Sequence, residues 1–255
     1  MFRRLRILIL LVVLVNVGVG GWLLRVRTAA WDHPLRVAVF PVAADRGERT
    51  RAFVAGFGPE ALAPVERFLA DEARRHGLSL TTPVEFRVHP GLAELPPEPP
   101  FGGSRLDVFV WSLRLRAWVW RHGSVPGPAP HARLFLLFHD PALGASVPHS
   151  VGLPQGLIGV VHGFATRAQA SQNAVVLAHE LLHTVGATDK YDPATNLPRF
   201  PDGYAEPDRS PRHPQEFAEL MGGRLPVSAR EARMPESLDE VLVGEGTARE
   251  IGWRR

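Results

Sequence analysis

Residues Ala174–Asp192 read AVVLAHELLHTVGATDKYD, and the rest of the chain is best understood outward from them. The run before the first histidine is apolar and helix-favouring, so the H-E-x-x-H pattern of His179, Glu180 and His183 falls on a helix. Residues four apart on a helix lie one turn apart on the same face. The two imidazoles can therefore converge on one ion at about 2.0–2.1 Å. Glu180 follows the first histidine directly and so points beside such an ion, not at it. Its carboxylate then stands where it can take a proton from an attacking water and pass it to the leaving amine.

The pattern continues past the second histidine. Gly186 follows His183 by three residues and Asp189 by six, giving H-E-x-x-H-x-x-G-x-x-D. Glycine is expected where a helix stops and the chain turns back sharply. Such a turn brings residue 189 back towards the histidines, and an aspartate oxygen is an acceptable zinc ligand. The expected site is thus Zn2+ held by His179, His183 and Asp189, with Glu180 as general base. Asp192, Glu206 and Glu216 are the rivals for the third position, the two glutamates in an arrangement that draws its third ligand from a separate segment. The bland alternative is a capped core helix with two satisfied histidines and a turn-forming aspartate.

Composition narrows the chemistry. The 255 residues contain no cysteine, which excludes a thiolate metal site, a disulfide scaffold and a cysteine nucleophile. An apolar fraction of 45% is enough for one good-sized core, and a charged fraction of 22% argues against general disorder. The net charge of +3 is accounted for by Arg3, Arg4 and Arg6, since the remaining 26 basic residues equal the 26 acidic ones. No basic cluster is left in the body to meet a nucleic acid, so no nucleic-acid partner is expected.

Those arginines precede an apolar run, Ile7 to Leu24. As a helix its eighteen residues would span about 27 Å, close to the ~30 Å of a bilayer's hydrocarbon core. More positive charge precedes the run than follows it, which keeps the N-terminus in the cytoplasm and the rest outside. Residues 1–30 therefore read as a membrane anchor and 31–255 as the catalytic domain. A cleaved signal peptide, which would make the protein secreted, is the competing reading, although no clean A-x-A site follows the run.

Strands are expected at Leu35–Val42, Val84–His89, Arg133–Phe138 and Leu157–His162, each short, apolar and bounded by turn residues. Helices are expected over Pro59–His76 and from Ser104 to about Arg121, the latter opened by a capping box with Asp107. Pro90–Gly103 and Gly123–Pro130 read as loops. After Pro193 the chain is dominated by Pro, Gly and charges, with regular structure expected only near Pro214–Leu220 and Leu238–Ile251. This predicts an α+β domain: a mixed β-sheet with the active-site helix in an α/β-like upper part, then an irregular C-terminal part.

The H-E-x-x-H-x-x-G-x-x-D pattern resembles the signature of the metzincin metallopeptidases. Most of that clan has histidine at the last position; Asp189 resembles the snapalysin-like branch, and Asp189–Asp192 (DKYD) the immune-inhibitor-A-like peptidases. The resemblance spans about residues 157–223. It implies a methionine-containing turn beneath the zinc, for which Met221 in Ala218–Gly223 is the candidate. It also implies an edge strand that binds extended substrate, for which Gly156–His162 is the candidate. Tyr191 or Tyr204 could donate a hydrogen bond to a developing oxyanion, and Asp192 could orient His183 or bind calcium. The remaining histidines (His33, His76, His89, His122, His131, His139, His149, His162 and His213) lack ligand spacing and read as surface or packing residues.

Two functions follow. One is a zinc peptidase acting on peptide or protein substrates outside the cytoplasmic membrane. The other is a membrane-anchored envelope scaffold or binding module that keeps such a fold without turnover. Intact His179, Glu180 and His183 favour the enzyme.

Overall fold

The computed structural model describes residues 30–100, 102–153 and 157–254. The apolar run Ile7–Leu24 lies outside them, and among the described residues no helix is long and apolar enough to cross a membrane.

The chain is α+β with a mixed five-stranded sheet. Its strands are β1 (Leu35–Ala43), β2 (Val84–Val88), β3 (Ala132–His139), β4 (Val151–Leu153) and β5 (Ile158–Phe164), in the order β2-β1-β3-β5-β4. The first four in that order run parallel, and β4 runs antiparallel to β5. Continuous apolar runs such as LRVAVFPVA in β1 suit strands covered on both faces. Helices supply the cover: α1 (Glu48–Ala55), α2 (Ala63–Arg75), α3 (Arg105–His122) and α4 (Ala170–Val185). Val37, Val39, Leu134, Leu136 and Val161 face a core shared with α2 and α4. The alternate residues Ala38, Phe40, Phe135, Leu137 and Val160 pack against Trp111, Leu115 and Val119 of α3.

Several expectations need correction. The helix expected over Pro59–His76 is split: Pro59–Ala61 is a 3-10 turn, and α2 begins at Ala63. Pro64 sits in the first turn of α2, where its missing N–H would have had no intrahelical partner anyway. The capping box is as expected, with Ser104 Oγ accepting from the Asp107 amide and Asp107 accepting from the Ser104 amide. The strand placed at Leu157–His162 forms as β5, but it lies inside the sheet. The edge on that side is β4, three residues long and too short for its pattern to register. Helix α1 (ERTRAFVA) was missed because charge dominates its first turn and Thr50 is its one buried residue.

Beyond Gly186 the elements are short, as expected of an irregular C-terminal part. They are β6 (Ala218–Glu219), a 3-10 turn at Leu220–Gly222, β7 (Leu225–Pro226), β8 (Ala232–Arg233), a 3-10 turn at Leu238–Glu240, β9 (Val241–Leu242) and α5 (Glu245–Glu250). The C-terminus is tied to the start of the domain: Trp31 Nε1 donates to the Ile251 carbonyl at 2.6 Å, and its ring meets Trp253 edge-on at 5.7 Å.

Candidate metal centre

Helix α4 carries His179, Glu180 and His183 on its last two turns. Gly186 ends it at φ 112°, with its amide bonded to the Leu182 and His183 carbonyls. A side chain at that φ would be strained, so glycine here is what permits the reversal. The Ala187 amide also donates to Leu182, and the chain doubles back so that Asp189 faces the histidines.

The result is a compact triangle of acceptors. His179 Nε2 and His183 Nε2 are 3.0 Å apart, and Asp189 Oδ1 lies 3.2 Å from the first and 3.1 Å from the second. Each imidazole is fixed from behind. His179 Nδ1 donates to the Leu220 carbonyl at 2.8 Å and His183 Nδ1 to the Ala187 carbonyl at 2.9 Å. A carbonyl can only accept, so Nδ1 carries the hydrogen in both rings. In the neutral imidazoles Nε2 then presents a lone pair to the centre of the triangle.

Two lone pairs and a carboxylate oxygen do not tolerate one another at about 3 Å without positive charge between them. An atom about 2.0–2.1 Å from each, the usual zinc–ligand distance, fits over a triangle of this size. A proton would meet the same need, and the titration directions express it. Burial opposes a charge on His179, but Asp189, Glu180 and the Leu220 carbonyl outweigh it and hold the imidazole above its ordinary value. Burial likewise opposes the Asp189 carboxylate, and the bonds from the two histidines outweigh it, holding the carboxyl far below the usual range. The donor set of two histidines and an aspartate suits zinc.

Glu180 is buried beside the triangle, close enough to group with the two histidines. Burial raises its carboxyl above the ordinary value, against the pull of His179 and His183, and Oε2 has no hydrogen-bond partner among the described residues. Strand β4 covers it. A Cβ added at Gly152 would stand 2.5 Å from His183 Cβ, 3.1 Å from the Glu180 carbonyl and 3.5 Å from Glu180 Oε2. Only a glycine lets the strand lie this close.

The rival acids are elsewhere. Asp192 Oδ1 accepts from the Ala194 and Thr195 amides and shapes the next turn. Glu206 and Glu216 share Arg209 through charged hydrogen bonds of 3.0 and 2.9 Å. Of the tyrosines, Tyr204 is engaged by His213 Nε2 at 3.1 Å. Tyr191 belongs to the site: burial, Asp189 and Glu180 all push its phenol up.

Met221 is fully buried in the 3-10 turn whose Leu220 carbonyl holds His179, and its own carbonyl accepts from the Lys190 amide. Glu219, which sequence reasoning passed over, secures that turn. Its Oε2 accepts from the Gly222 amide, and Oε1 accepts from the Gly244 amide and Thr247 Oγ1. A lone acid inside the run Ala218–Gly223 was the available signal. Lys190 adds a clamp, donating to Glu250 Oε2 of α5 at 2.7 Å. Among the other histidines, His139 Nε2 and His162 Nδ1 share a 2.8 Å hydrogen bond at the ends of β3 and β5, a pairing that their separation in sequence hides.

No protein-family model matches this chain, and no curated protein is similar to it.

Proposed function

We propose that the chain is a zinc-dependent peptidase of metzincin-like type, with zinc held by His179, His183 and Asp189. The observation that carries this reading is the triangle of acceptors with both Nδ1 hydrogens committed behind it. A core helix with two satisfied histidines would have no reason to aim two lone pairs and a carboxylate at one point. When bound, zinc would polarise a scissile carbonyl and lower the pKa of water towards ~7.

The chain's own residues do the rest. Glu180 Oε2 is unpartnered among the described residues and next to the proposed ligands, and a carboxyl whose proton affinity burial raises is suited to take a proton and return it to a leaving amine. Tyr191, next to Asp189, is the candidate donor to a developing oxyanion. The resemblance calls for an edge strand that receives extended substrate, and β4 takes the role first given to Gly156–His162. It is the edge strand on the β5 side of the sheet, and Gly152 seats it over His183 and Glu180. A peptide adding to its outer edge would be held by main-chain hydrogen bonds. The run Ile7–Leu24 would anchor this domain to the cytoplasmic membrane from outside.

The test is metal analysis of the purified full-length chain together with cleavage of a broad peptide library. Zinc near one equivalent with cleavage that a chelator abolishes is the expected result. Zinc without cleavage would favour the envelope-scaffold reading, and a folded chain that binds no zinc would overturn the peptidase reading.

A further inference from the structure

Helix α3 is apolar on two opposite faces. Trp111, Leu115 and Val119, spaced by four, are buried against the sheet. On the other side, at helical spacing, Leu106, Phe109, Val110, Leu113 and Trp120 stand in solvent, with Leu106 at 68% and Trp120 at 79% exposure. Five of the ten large apolar side chains most exposed among the described residues thus share one helix face, which is too concentrated for scattered surface residues. Arg114 and Arg121 border this face on one side, Arg105 and Arg116 on the other. An apolar stripe with an outward tryptophan between rows of arginine is the composition of a helix lying in the interface of an anionic membrane.

The position of α3 fits the same occupant. Trp31 is already packed on the domain, so residues Arg25–Ala30 tether the apolar run Ile7–Leu24 to it, and six residues reach at most about 20–22 Å. The last turn of α3 lies at the end of the sheet where the chain enters β1. Gly123, just after α3, accepts from Arg133 Nε, and Ala132 at the start of β3 pairs in register with Val37. A bilayer holding the run would therefore lie at the end of the sheet that carries the last turn of α3 and Trp120. The metal centre belongs to α4 on the opposite face of the sheet and would remain turned away from the lipid.

We propose that α3 is a second membrane contact, which lays its Leu106–Trp120 face into the interface of an anionic bilayer and fixes how the domain stands on the membrane. The proposal is independent of the metal centre and of whether the chain cleaves peptides.

The chain lacks cysteine, so single cysteines introduced by Leu106→Cys, Phe109→Cys, Leu113→Cys and Trp120→Cys can carry spin labels on the full-length protein. Arg74→Cys on α2 serves as the control. In vesicles of phosphatidylcholine with phosphatidylglycerol, the four α3 labels should collide several-fold more with oxygen than with an aqueous nickel chelate, and the Arg74→Cys label should show the reverse. Removing phosphatidylglycerol should weaken the oxygen preference. Nickel access at all four α3 positions would overturn the proposal, as would shielding from both reagents with spin–spin broadening, which means a second copy covers the face. If labelling disturbs folding, fluorescence quenching of the native chain by brominated lipid, compared with Trp120→Phe, gives the same answer. Equal quenching of the two proteins would overturn it.

Discussion

His179 reaches across 41 residues to donate its Nδ1 hydrogen to the carbonyl of Leu220. This bond couples the helix to the turn that contains Met221, and it leaves Nε2 as the only lone pair the ring can offer. His183 is set in the same way by the carbonyl of Ala187, four residues on. Both histidines are thus oriented by backbone, which no side-chain substitution nearby can remove directly. The aspartate is the variable member of the three.

Asp189→Ala should therefore lose zinc, because two histidines alone leave a tetrahedral site one protein ligand short. Asp192→Ala, Glu206→Ala and Glu216→Ala should keep it, since Asp192 is bonded to backbone amides and the glutamates to Arg209. Zinc stoichiometry after dialysis against a weak chelator separates the four variants. An Asp189→Ala protein that stays loaded would mean the triangle is not the site.

Glu180→Gln should hold zinc as the parent does and lose peptide hydrolysis by about 10²–10⁴-fold, the usual cost of removing a general base. Glutamine keeps the shape of the buried side chain but cannot accept the proton. Loss of metal together with activity would show that Glu180 is a ligand instead.

Glu219→Ala tests the turn. It would strand the Gly222 and Gly244 amides and the Thr247 hydroxyl, all of which Glu219 satisfies in a buried setting. At about 1–3 kcal/mol for each stranded buried group, the variant should lose several kcal/mol of stability in urea unfolding. Zinc affinity should fall by about 10–100-fold, as for other residues that support a ligand. Unchanged affinity in a destabilised protein would mean that Leu220 keeps its place without Glu219.

The longer strands, the His179–His183 helix and the Gly186 reversal were legible in the sequence because each rests on local chemistry: β-branched apolar runs, i to i+4 histidines, and a glycine at the stop. His179, His183 and Asp189, the three proposed ligands, fall within eleven positions, so a single turn brings them together. The parts that were not legible depend on non-local contacts. Strand β4 has three residues, and it is placed by pairing with β5 and by packing on α4. Glu219 acts through Gly244 and Thr247, more than twenty residues away. The two faces of α3 look alike in sequence, and only the sheet decides which of them is covered.

The His139–His162 pair gives a stability test away from the proposed metal centre. Burial first, and His139 second, lower His162 to about 4 from an ordinary value of 6.5. The folded state thus prefers the neutral ring, while the unfolded chain begins to take up a proton near pH 6.5. The stability this contributes is fully present above about pH 6.5 and is lost progressively as pH falls towards 4. His162→Gln should flatten that part of the stability-versus-pH curve by on the order of 2 kcal/mol. Equal slopes for the two proteins in urea unfolding between pH 4 and 6.5 would show that the imidazole titrates normally.

The closest packing at the site is between Gly152 and His183, and it yields the most demanding prediction. A Cβ at 152 would come within 2.5 Å of His183 Cβ and 3.1 Å of the Glu180 carbonyl. Both are fixed to the helix backbone, so no side-chain rotation relieves the overlap and β4 must lift from α4. Gly152→Ala should cost about 1–3 kcal/mol through overpacking. Displacement of the strand and of Glu180 by a fraction of an ångström to 1 Å should lower kcat/KM by on the order of 10²-fold. Gly144→Ala is the control, because a Cβ there meets only the Ser146 carbonyl at 3.6 Å. Zinc stoichiometry measured alongside distinguishes a shifted substrate strand, in which metal is retained, from a shifted His183, in which it is lost. A Gly152→Ala protein with parental stability and activity would show that β4 does not lie against the histidine helix.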